Sequence, residues 1–158
     1  MSYEELFRDL KAVEDQPPVI PEGDYTAVVT GAYLDSIETE DGTREVIRVN
    51  LTFQGNPNTF LTDGNTPVDG QVGQLTIFLP SPEDHNRPAQ FSRGTMYDVS
   101  LRRLKRFFKA CGVNLEDESS LEEALQKCQD ATVIVHVVNR LGQDGMQYDQ
   151  IQYIVSGS

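Results

Sequence analysis

Apolar residues recur along this chain with two periods, and the switches between them mark out the elements. From Ser2 to Glu14, Tyr3, Leu6, Phe7, Leu10 and Val13 fall at helical spacing. Ser2 with Glu5 three residues later is a capping box, and the DQPP stretch at 15–18 stops the helix. From Gly23 the period drops to two. Residues 24–34 are rich in β-branched and aromatic types, with Gly31 inside the run, where a glycine marks a bulge or a tight bend. A turn at 40–42 leads into a second strand at 44–53. Its alternation places Ile47, Val49, Leu51 and Phe53 on one face and Val46, Arg48, Asn50 and Thr52 on the other.

Residues 54–72 are rich in Gly, Pro, Asn and Asp and read as a long loop or irregular hairpin; a third strand follows at 74–80. A polar loop at 81–94 is long for a compact domain, and such loops often carry function. A helix at 97–111 closes on Gly112, and a shorter one at 119–128 opens with Ser120 and Glu123 at capping-box spacing. Residues 132–140 form a nearly continuous apolar strand, LGQDG a turn, and 146–155 a last strand. Strand, strand, strand, helix, strand, strand is the order of a five-stranded oligonucleotide/oligosaccharide-binding (OB) barrel. The expected fold is therefore mainly β: an OB-fold barrel with a helix between strands three and four. Residues 1–20 supply an N-terminal amphipathic helix and linker, and 21–158 the barrel domain.

Composition narrows the function. The 158 residues carry a formal net charge of −12, which disfavours indiscriminate binding to duplex DNA or anionic membrane but leaves room for one basic track. No apolar run approaches the roughly 20 residues of a membrane span, and the acidic amphipathic N-terminus is unlike a targeting peptide, so the expected location is the cytoplasm. Cys111 and Cys128 have no Cys or His at ligand spacing and read as two buried, reduced thiols. Phosphate-loop, dinucleotide, zinc-protease and nucleophile-elbow signatures are absent, and no cofactor is implied. His85 beside Glu83 and Asp84 could form a metal-ligand set or an acid–base pair, and a solvated loop is the plainer reading.

Thirteen basic residues are not evenly spread. LRRLKRFFKA, at 101–110, holds five of them and no acid. On a helix Leu101, Leu104, Phe108 and Cys111, with Phe107 beside them, make a buried stripe, and Arg102, Arg103, Lys105, Arg106 and Lys109 cover the remainder. In the barrel topology this helix plugs the bottom, away from the ligand face, so its cations read as a solvated surface. The candidate binding groove lies instead on the outward face of the early strands and nearby loops. Its basic members are Arg48, Arg87, Arg93 and Arg140, and its aromatic members Tyr33, Phe78, Phe91 and Tyr148, with Tyr153 a further strand aromatic. The N-terminal helix either packs on the domain or serves as an arm for a partner or a neighbouring subunit.

Pro21-x-Gly23-x-Tyr25 at the head of the first strand, the second strand closing near Leu51 to Phe53, and the run from Leu104 to Val113 ending in A-C-G-V resemble a family of small phage proteins. Members of that family are OB-fold, single-stranded-DNA-binding proteins associated with phage replication and recombination. The resemblance runs from about Pro21 to Tyr153 and brings no binding residue with it. It implies a non-enzymatic protein that coats and protects single strands, with single-stranded DNA and phage replication or recombination proteins as partners. The final IVSGS differs from the acidic tail of well-known single-strand binders, so tail-mediated recruitment is not expected. The alternative is an acidic OB-like interaction module or DNA mimic.

Overall fold

The computed structural model describes residues 2–90 and 93–156. Helix α1 (Tyr3–Ala12) precedes strands β1 (Gly23–Thr39), β2 (Gly42–Phe53) and β3 (Val72–Phe78). Helices α2 (Met96–Ala110) and α3 (Leu121–Lys127) then lead to β4 (Thr132–Leu141) and β5 (Gln147–Ser156). Short 3-10 turns occupy Pro82–Asn86 and Leu115–Asp117. The strands form one antiparallel sheet in the order β3-β2-β1-β4-β5. The protein is thus mainly β, with a helix-bearing insertion between the third and fourth strands.

β1 organises the sheet because it belongs to two ladders. Its first half pairs with β4, from Gly23 opposite Val137 to Val28 opposite Thr132, and its second half runs beside β2 to the Thr39/Gly42 turn. The register shifts between Val29 and Gly31, so the bulge stands where the glycine predicts it. The Pro21-x-Gly23-x-Tyr25 motif has a structural explanation. Gly23 adopts φ +153°, and the Tyr25 hydroxyl donates to the Pro21 carbonyl at 2.6 Å, locking the entry to the strand.

Tyr25, Ala27 and Val29 of β1 point to the core with Ile47, Val49, Leu51 and Phe53 of β2, and the Tyr25 and Phe53 rings meet edge to face. Val133, Val135 and Val137 of β4 and Ile151 and Ile154 of β5 complete the same face. Phe107 and Phe108 of α2, together with Ala124, Leu125 and Cys128 from α3, enter this core, and Val68 reaches it from the long second loop. Helix α2 begins at Thr95, whose side chain and backbone exchange hydrogen bonds with Asp98. It ends in a Schellman turn: Gly112, at φ +75°, donates to Lys109, and Val113 donates to Phe108.

Two sequence expectations are corrected. Val46 is fully buried although it shares the outward face with Arg48, being flanked across the strands by Asp35 and Phe78. Leu101 is exposed, because the buried stripe of α2 runs through Ser100, Leu104, Phe107, Phe108 and Cys111 and so lies to one side of it. Ahead of Pro21, Val19 and Ile20 are buried, hydrogen-bonded to Thr62 and Asp149 respectively. The described residues form one open sheet, with no ladder between its edges β3 and β5. The edges nonetheless converge at one point, where a Cβ on Gly73 would fall 2.7 Å from the Ile151 side chain.

Cys111 and Cys128 are both free thiols, at the C-caps of α2 and α3. Cys128 donates to the Ala124 carbonyl, and its contact with Cys111, reinforced by burial, pushes the Cys111 thiol far above its ordinary range. The same contact lowers the Cys128 pKa, but Cys128 is fully buried and Cys111 half-buried, so both thiols should react slowly with a disulfide reagent in the native state and fast after unfolding. Native labelling at the unfolded rate would show the two caps to be open to solvent. No helix among the described residues is long and apolar enough to cross a membrane.

Candidate functional site

The outward face of β1, β2 and β3 gathers three of the candidates. Tyr33, Arg48 and Thr76 stand in one cross-strand row, and Asp35, Val46 and Phe78 in the next. Alternation also puts Arg44 on this face, two residues beyond Val46. Tyr33 and Phe78 are exposed. Arg48 is held by neighbours: its Nε donates to Asp35 at 3.0 Å and its Nη1 to Thr76 at 3.1 Å. The Ser36 N–H and the Arg48 guanidinium together keep the Asp35 carboxyl below the usual carboxylate range, so this pair is charged throughout neutral pH. Arg48 is therefore fixed in place but already partnered.

Arg44 was not among the sequence candidates. Its guanidinium lies 5.5 Å from the Phe78 ring centre and donates to the Leu79 carbonyl. It also faces Asp84 at 3.8 Å, as does Arg87 from the other side. Asp84 is buried and accepts from the Ser81 backbone, while its neighbour His85 stacks on Tyr97 with ring centres 3.9 Å apart. These two side chains have separate structural tasks, which leaves the acid–base reading of this loop without geometric support.

The remaining candidates are dispersed. Arg93 is exposed in the loop before α2, and Phe91 lies outside the described residues. Arg140 and Tyr148 face each other at the β4–β5 hairpin. Tyr148 donates its hydroxyl to Asp144 within that hairpin, a bond that holds the phenol above its ordinary pKa. Among the described residues no hydrogen bond or ring contact joins this pair to the Tyr33–Arg48 row.

A second concentration of cations appears where the sheet edges separate. α2 lies between β3 and β5 there and borders a groove of about 610 Å³. Its apolar lining includes Leu75, Ile77, Phe107 and Ile154, and its exposed rings are Phe78 and Tyr153. Arg103 and Arg106 line it from α2. Neither arginine has a salt-bridge partner among the described residues, and no acidic side chain is part of the lining. Tyr153 is braced from behind by His136, whose ring stacks on it at 4.8 Å and whose Nδ1 is 2.7 Å from Asp24. The basic helix is thus more than a solvated plug. One of its sides faces a groove, and Phe78 connects that groove to the Tyr33–Arg48 face.

A cleft with flat rings and unpaired guanidinium groups can hold a chain that is anionic and carries stacking faces, since the guanidinium group binds phosphate and lies flat on a ring. The chain matches no protein-family model and no curated protein sequence.

Proposed function

We propose that this protein binds single-stranded DNA, without catalysis, along a track from the Tyr33–Arg48 face across Phe78 into the β3–α2–β5 groove. The observation that carries the reading is that Arg103 and Arg106, without a salt-bridge partner among the described residues, share one groove with exposed Phe78 and Tyr153 and with no acidic side chain in its lining. In an otherwise acidic molecule this gives the groove a local attractive field. The strand order is compatible with an OB-type barrel whose β3 and β5 edges approach at Gly73 and Ile151. The resemblance to small phage proteins supports a role in replication or recombination, coating and protecting exposed strands.

The test is oligo-dT affinity across a salt series. Each phosphate neutralised on a single strand should contribute about −0.7 to the slope of log affinity against log salt. Arg48→Ala should flatten the slope by no more than that, because Asp35 already occupies part of its charge. Asp35→Asn should do the opposite and raise affinity, by releasing Arg48 to phosphate. Phe78→Ala and Tyr153→Ala should weaken binding with little change of slope, base stacking being worth about 1–3 kcal/mol per base. If the wild type shows no salt-sensitive binding, the acidic interaction-module reading replaces this one; the net charge of −12 and the exposed apolar face of α1 favour it.

A further inference from the structure

Helix α1 has no buried residue. Tyr3, Leu6, Phe7, Leu10 and Val13, which a turn of 100° per residue brings to one side, are all exposed, Tyr3 by 90% and Leu10 by 63%. A lone ten-residue helix is marginal in water, and most helical stability comes from covering such a face. The Ser2 cap on the Glu5 N–H and the Lys11 ammonium over the Phe7 ring support the helix locally, but they leave its face open.

We propose that the apolar face of α1 docks in the β3–α2–β5 groove of a second copy of this chain. The two surfaces complement each other. The groove offers Leu75, Ile77, Phe107 and Ile154 as an apolar floor, with Arg103 and Arg106 on its α2 side. The α1 segment carries five acids, Glu4, Glu5, Asp9, Glu14 and Asp15, against Arg8 and Lys11. At 100° per residue Asp9 borders the Leu6–Val13 edge of its apolar face, where groove-side arginines would meet it, while Lys11 and then Glu4 follow at the Phe7 edge. Within one chain the helix and the groove are both open.

The tether is also anchored away from its own groove. Gln16 is fixed by two hydrogen bonds to the Gln147 backbone at the start of β5, whereas the groove uses Gln152 to Val155 near the other end of that strand. Two chains can exchange helices reciprocally and so place two such contacts in one dimer. This inference is independent of nucleic-acid binding, although a strand in the groove would compete with the helix.

Sedimentation velocity of the full chain over a concentration series, without nucleic acid, tests it. One variant carries Leu6→Asp and Leu10→Asp, and a second Arg103→Glu and Arg106→Glu. All four positions are exposed, so both variants should retain the wild-type melting transition. The wild type should self-associate, and each variant alone should do so more than about tenfold more weakly. Mixing the two variants should restore a dimer, because one supplies an intact groove and the other an intact helix. A wild type that stays monomeric at every concentration would overturn the proposal, as would variants that associate like the wild type. Failure of the mixture to complement, with the wild type associating, would overturn it too, because the intact helix of one variant would then not engage the intact groove of the other.

Discussion

Phe108→Ala should destabilise the fold by about 3–5 kcal/mol, the range for emptying an aromatic site in a packed core. Phe108 is 1% exposed and lies against Phe107 with ring centres 5.4 Å apart. It also anchors the end of α2, since its carbonyl accepts from Val113 in the Schellman turn. Truncation leaves a cavity in the core where α2 enters it. Arg102→Glu, on the exposed side of the same helix, should change stability by no more than about 0.5 kcal/mol. Chemical denaturation of both variants makes the comparison, and a Phe108→Ala protein as stable as Arg102→Glu would mean that α2 does not close the core.

Reversing Arg103 and Arg106 together to Glu should have the largest effect on the proposed DNA binding. Loss of two phosphate contacts should flatten the salt slope by about 1.4, at about 0.7 for each. The two new carboxylates should also repel the strand from a groove that has no acid of its own. The control is Arg102→Glu with Lys109→Glu, the same change in net charge on the same helix but outside the groove lining. Equal losses from the two doubles would assign the effect to the overall field of α2 and not to the groove. Unaltered affinity in the groove double would move the binding surface elsewhere.

Where local chemistry decides the structure, the sequence reads well. Gly31 marks the β1 bulge, Gly112 stops α2, Ser120 caps α3, and the alternation from Ile47 to Phe53 gives the buried face of β2. β1 runs on to Thr39, past the expected end, because the polar DSIET stretch belongs to a projecting hairpin and carries no core pattern. Val46 and Leu101 were misread for a different reason. The periodicity of an element reports which side chains share a face, but what lies over that face is set by other segments. The candidate site divides in the same way. Tyr33, Arg48 and Phe78 could be placed together from strand parity, and the same parity would have found Arg44. Arg103 and Arg106 could not, because their environment depends on β3 and β5 parting where α2 enters.

The double membership of β1 also bears on how the chain folds. Its pairing with β2 spans a two-residue turn and can form early, as a local hairpin. Its pairing with β4 joins residues more than a hundred positions apart, and contacts of such separation slow folding because loop closure precedes any reward. Both α2 and β3 lie within the loop which that pairing closes. The arginines and rings of the groove are therefore assembled with the most non-local contact of the sheet, and a chain with only its first hairpin formed does not yet possess them.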